Sequence, residues 1–117
     1  MSYKFYCYPK CSTCAKARKK LDELGLPYKE YDITTETPSA EELKGFFEMT
    51  DLGIRRFFNT SGMKYREMGL SKKLDEMSED RCFETLASDG MLIKRPLLVG
   101  EDTVLVGYKE ADYENLA

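Results

Sequence analysis

The first 33 residues run through a short aromatic β-rich segment, an amphipathic stretch and a second β-rich segment, and that order constrains the fold more than anything else in the sequence. Residues 3–8 are dense in β formers and read as a buried strand. Cys14, Ala17, Leu21 and Leu24 then recur at helical spacing, with Lys16, Arg18, Lys19, Lys20, Asp22 and Glu23 between them, which predicts a helix with one apolar stripe. Gly25 stands where a left-handed residue would stop that helix. Pro27 follows, and residues 28–33 read as a second strand. A strand–helix–strand unit makes parallel neighbours joined by a right-handed crossover.

The middle of the chain is helical in pattern. Ser39 and Glu42 have the spacing of a capping box ahead of Leu43, Phe46 and Phe47, which predicts a helix over about 39–49. Asp51 is placed to cap a further short helix reaching Phe58, and Asn59-Thr60-Ser61-Gly62 signals a loop. Residues 65–77 read as short helical turns. Ser78 starts another helix with Phe83, Leu86 and Ala87 inward and Gly90 at its end. Beyond it, residues 97–99 and 103–106 are two β-rich runs joined through Gly100-Glu101-Asp102, an antiparallel hairpin. Residues 109–116 form a last helix. The order β-α-β, helical insertion, β-β-α packs most economically as a four-stranded mixed sheet with helices on its faces. One domain over residues 1–117 is expected, with the insertion at about 39–90 between the second and third strands.

Composition then removes whole classes of function. The formal charge is −3 and no basic run occurs, so direct binding of nucleic acid is not expected. No stretch approaches the roughly 20 apolar residues of a membrane span. The N-terminus has no basic region leading into a long apolar run, so a cytoplasmic protein is expected. There is no histidine, which removes Cys-His and Ser-His catalysis and every histidine-containing metal site. The four cysteines are Cys7, Cys11, Cys14 and Cys82. In a cytoplasmic chain such cysteines point to catalysis or metal binding before structural disulfides.

Cys11-Ser12-Thr13-Cys14, between a predicted strand and a predicted helix, is the strongest chemical signal. A helix N-terminus offers unpaired N–H donors and partial positive charge, and both favour a thiolate. Ser12 and Thr13 present such donors, and Lys10 adds a cation. Cys11, at the open end, is the candidate nucleophile. Cys14 lies three residues on, in the apolar stripe, and is the candidate resolving thiol. A zinc or iron–sulfur site and a merely structural pair are the competing readings; a metal would draw on Cys7 and Cys82, which read as core residues. Arg95-Pro96 is the second signal. A proline at the mouth of a strand cannot donate to the ladder, and an X-Pro bond can be cis, which would turn the Arg95 carbonyl toward a ligand. Arg55 and Arg56 in the insertion are either solvated surface or oxyanion ligands, since guanidinium matches such anions in bidentate fashion.

Four segments together resemble the arsenate reductase (ArsC)/Spx family of thioredoxin-like, or glutaredoxin-like, proteins. They are Tyr8-Pro9-Lys10-Cys11-Ser12-Thr13-Cys14, Phe57-Phe58-Asn59-Thr60-Ser61-Gly62, Tyr65-Arg66-Glu67-Met68-Gly69-Leu70 and the run from Leu86 through Ile93-Lys94-Arg95-Pro96. The resemblance covers essentially the whole chain. It implies a thioredoxin-like fold with a helical insertion, Cys11 as nucleophile, a cis Pro96, and an oxyanion held by Arg95 with Arg55 or Arg56. It implies no bound cofactor and an external thiol donor, either glutathione with glutaredoxin or thioredoxin. The substrate it implies is a small oxyanion or a disulfide. Two departures stand out: Gly107 falls where arsenate reductases of this kind carry a third arginine, and Cys14 supplies a second cysteine that they often lack. The Spx branch implies a different role, a redox-sensing regulator that binds the RNA polymerase α subunit. Such regulators usually carry a basic tail after the last helix, where this sequence ends at Ala117.

Overall fold

The computed structural model describes residues 2–116. The chain divides into two compact units: Ile33–Lys94 forms one, and the segments before and after it form the other.

The outer segments build a four-stranded sheet. Strand β1 (Tyr3–Cys7) pairs in parallel with β2 (Tyr28–Asp32), and β3 (Leu97–Val99) pairs antiparallel with both β1 and β4 (Val104–Val106), giving the order β2-β1-β3-β4. With the crossover helix α1 (Ser12–Leu24) between β1 and β2 and a short helix α6 (Glu110–Glu114) after β4, this is the mixed sheet expected from the element order and the thioredoxin-like fold that the resemblance implies. Central strands β1 and β3 bury Phe5, Tyr6, Cys7, Leu97 and Leu98, because both lie between hydrogen-bonded neighbours. Edge strand β2 is largely exposed along Lys29 and Glu30.

Helix α1 follows its sequence pattern closely. Cys14, Ala17 and Leu21 are its buried residues, packed with Phe5, Cys7, Leu98 and Tyr113 in one cluster. Gly25 adopts φ 69°, and the N–H groups of Gly25 and Leu26 bond to the carbonyls of Asp22 and Leu21 at 3.2 Å. That is the glycine-closed helix end the sequence predicts.

The other unit carries α2 (Ala40–Glu48), a 3-10 turn (Ile54–Phe57), α3 (Met63–Glu67), α4 (Leu70–Lys73), a second 3-10 turn (Leu74–Glu76), α5 (Glu79–Ser88) and a third (Gly90–Leu92). Ser39 closes its capping box: its hydroxyl accepts from the Glu42 N–H at 3.1 Å while Glu42 accepts from the Ser39 N–H at 3.0 Å. Ser78 caps α5 by accepting from the Arg81 N–H at 3.1 Å. Phe47 packs edge-on against Phe57 and tilted against Phe83, with centroids 5.9 and 5.5 Å apart, which ties the first half of this unit to the second.

Three local expectations are corrected. Asp51 caps nothing; the 3-10 turn starts after Gly53, whose extended backbone precedes Ile54. Gly90 does not close α5 in a left-handed conformation; Asp89 ends the helix, and Gly90 is buried against the Ile33 carbonyl. Ala87 is half-buried instead of inward.

Candidate functional site

Cys11 is the N-cap residue of α1, with extended backbone (φ −89°, ψ 122°). Its N–H bonds to the Tyr8 carbonyl at 2.9 Å, which closes the turn delivering the chain from β1 into the helix. The side chain is half-buried and closes no strict capping hydrogen bond. Burial opposes ionisation of the thiol. The Cys14 N–H, the Cys14 thiol, the Thr13 N–H and the Arg95 guanidinium favour the anion and outweigh it, so the Cys11 thiol is held below its ordinary range. Lys10 is exposed, so the cation that favours the sulfur's anion is Arg95.

Cys14 is the opposite case. It is fully buried, and its sulfur accepts the Tyr8 N–H at 3.4 Å. Burial, and then the neighbouring sulfurs, push its thiol up to about 12 in spite of that bond. Three residues of helix therefore separate a sulfur favoured as anion from one held as neutral thiol. All four cysteines are free thiols in this structure.

Arg95 stands two residues before β3. The Arg95–Pro96 bond is cis, as the resemblance implies. The Arg95 guanidinium also lies 5.4 Å from the centre of the Tyr8 ring, a cation–π distance. The Pro96 carbonyl accepts the N–H of Gly107 at 2.8 Å, and Gly107 has φ 78° at the end of β4. Cys11, Ser12, Thr13, Cys14, Arg95 and Pro96 thus belong to one compact unit.

Arg55 and Arg56 belong to the other unit. The Arg55 guanidinium donates to Asp75 at 2.8 Å, to the Tyr65 hydroxyl at 3.1 Å and to the Ser71 carbonyl at 3.4 Å. Arg56 is exposed. Cys82 is a buried core residue of α5, as expected, and its thiol is raised by burial. Among the described residues no three histidine, cysteine or acidic side chains converge to hold a metal ion. No helix among them is long and apolar enough to cross a membrane.

Sequence reasoning missed Arg18. Its guanidinium grips Glu30 of β2 through two bonds of 2.7 and 3.0 Å and donates to the Cys7 sulfur at 3.4 Å. Burial first, then the Glu30 carboxylate, push the Cys7 thiol up to about 11. The partners are twelve and eleven residues from Arg18, so no local pattern signals the contact. Only the β1–β2 register, which sets Cys7 beside Asp32 and Phe5 beside Glu30, makes it predictable.

The ArsC family profile matches residues 6–116, and the chain belongs to the ArsC family. Within that family the relatives differ in role. The chain is 55% identical over 114 residues to the uncharacterized protein YusI of Bacillus subtilis (strain 168), covering 97% of each. It is 32% identical to the global transcriptional regulator Spx of Listeria innocua over 90% of this chain and 79% of that one. It superposes with a TM-score of 0.91 on the crystal structure of a possible arsenate reductase from Streptococcus mutans UA159, at 48% identity, covering 97% of this chain and 96% of that one.

Proposed function

We propose that the protein is a cytoplasmic thiol-dependent oxidoreductase that reduces a disulfide or a small oxyanion. The Cys11 thiolate attacks the substrate and forms a covalent adduct. Cys14 displaces the reduced product and leaves a Cys11–Cys14 disulfide. An external dithiol or glutathione, with glutaredoxin or thioredoxin, then restores both thiols. Arg95 and the N–H groups of Ser12 and Thr13 hold negative charge at the reacting centre, and Pro96 borders the site.

The single observation behind this reading is the split within one helical turn: Cys11 is partly exposed at the N-cap of α1, and Cys14, three residues on, is fully buried. Exchange chemistry uses that asymmetry, because the first thiol must attack and the second must wait. The test is turnover of a disulfide and of arsenate, each with a thiol donor. Cys11→Ser abolishes both activities, and Cys14→Ser accumulates a Cys11 adduct visible by mass spectrometry. Normal turnover by Cys11→Ser refutes the scheme. Turnover of the disulfide alone fits Gly107, which brings no third guanidinium to an oxyanion.

The 32% identity to Spx supports a second reading, a redox-switched regulator that binds the RNA polymerase α subunit without turnover. Retention on immobilised α subunit that changes with reductant, together with no reductase activity, decides for the regulator.

A further inference from the structure

Tyr113 is an anomaly of the core. It lies on α6 with 0% exposure, the largest of the fully buried side chains. Its ring packs edge-on against Tyr108, with centroids 4.9 Å apart. Its hydroxyl is buried and has no hydrogen-bond partner among the described residues. A buried hydroxyl without a partner is destabilising, and phenylalanine would fill the same space without that cost. The hydroxyl therefore calls for a reason.

Its surroundings supply one. Tyr113 packs in a cluster with Phe5, Cys7, Cys14, Ala17, Leu21 and Leu98. The polar side-chain atoms of its buried members, other than the hydroxyl itself, are two sulfurs; Cys11, Tyr3, Tyr28 and Tyr108 pack against the cluster from its partly buried edge. Cys7 is already engaged by Arg18 at 3.4 Å. Cys14 accepts a long backbone bond, from Tyr8 at 3.4 Å, and an anion on its sulfur would act directly on the phenol. A neutral thiol is a poor acceptor, so the hydroxyl has nothing to bond in the dithiol state. A thiolate is a strong acceptor. Burial pushes the Tyr113 phenol far up, and an anionic Cys14 would push it further, so it stays a donor.

We propose that Tyr113 is a positioning residue for the resolving step, its hydroxyl donating to the Cys14 sulfur when that sulfur becomes an anion to attack the Cys11 adduct. The inference rests on Cys14 being the resolving thiol. In that step the Cys14 proton leaves to solvent, the Cys14–Cys11 bond forms, and the bond from Cys11 to the substrate sulfur breaks, releasing that sulfur as thiolate. The electron pair comes from Cys14, and the substrate disulfide is the oxidant. Tyr113 exchanges neither electrons nor its own proton; it stabilises an anion that its apolar neighbours oppose.

The experiment uses the reduced full chain and a chromogenic aromatic disulfide, followed by stopped flow. One aromatic thiolate is released when Cys11 attacks and a second when Cys14 closes the ring. In Tyr113→Phe the first release is expected to be unchanged. The second is expected to slow about tenfold, as fits the loss of one hydrogen bond to a charged group, and its pH profile to move to higher pH. The melting temperature is expected to hold or rise, since the orphan hydroxyl is gone. A second release within about twofold of wild type overturns the role of Tyr113 while leaving Cys14 as resolving thiol. A lower melting temperature with both releases slowed alike also overturns it, because the hydroxyl would then be structural. No second release in wild type overturns both this inference and the reading on which it rests.

Discussion

Replacing Gly90 with alanine puts the packing argument to a quantitative test. A Cβ at position 90 would stand 1.9 Å from the Ile33 carbonyl oxygen and 2.7 Å from its carbon, where ordinary contact begins at 3.4 Å. The obstacle is backbone, so no rotamer relieves it. Nor can the Ile33 carbonyl swing away freely, since it accepts the Thr37 hydroxyl at 2.7 Å. Overpacking of a rigid site costs about 1–3 kcal/mol, and loss of the Thr37 bond adds about 1 kcal/mol, so Gly90→Ala should destabilise by roughly 2–4 kcal/mol. For a chain of this size, roughly 4 °C per kcal/mol places the fall in melting temperature at about 8–16 °C. Thermal unfolding followed by circular dichroism measures it. Gly25→Ala is the control. It keeps open space around the new methyl, and it should lose only about 1–2 kcal/mol for its left-handed backbone. A Gly90→Ala protein that melts within about 2 °C of wild type would refute the close-approach reasoning.

Other perturbations probe other links. Ser39→Ala removes the capping box of α2 and should cost about 1 kcal/mol in urea unfolding with an unchanged slope. Leu21→Ala opens a cavity beneath α1, where Leu21 is fully buried, and should cost about 2–5 kcal/mol by the same assay. The Glu30 carboxyl is held below its usual range, first by its bonds to Arg18, so its contribution to stability is complete above the unfolded value of about 4.3 and is lost as pH falls below it. An acid titration of stability should therefore show a shallower decline in Glu30→Gln than in wild type. Cys7, raised to about 11 by burial, works in the other direction. Its contribution is intact below the free thiol value and lost as pH climbs toward 11, so Cys7→Ala should flatten the alkaline limb of the same curve.

The parts of this molecule that could be read from its sequence are those set by neighbours along the chain. The stripe Cys14–Ala17–Leu21, the stop at Gly25, the Ser39–Glu42 cap and the hairpin around Gly100 are all local patterns, and each appears as expected. Cys11 at the start of α1 could be read for the same reason, because the change of period from strand to helix places it there. Gly90 departs from expectation because a glycine after a helix signals a left-handed stop, and only the distant Ile33 carbonyl shows that it serves close packing. Asp51 is a good capping residue that does not cap, because the turn begins three residues later at Ile54, with Gly53 before it. The grip of Arg18 on Glu30 and Cys7, and the place of Tyr113 in the cluster of Cys14, depend on strand register and on the return of the chain through α6. No short window of sequence holds that information. Arg55 illustrates the same limit: its guanidinium is engaged by Asp75, twenty residues away, a partner that no local pattern signals.

The rate of Cys11 alkylation by iodoacetamide across pH, with the modified residue located by mass spectrometry, tests most directly whether this sulfur is ionised near neutrality. The rate should already be on its plateau below the free-cysteine range near 8.5, with Cys7, Cys14 and Cys82 unmodified. A rate that keeps climbing through pH 9, or label spread over the buried cysteines, would contradict the account.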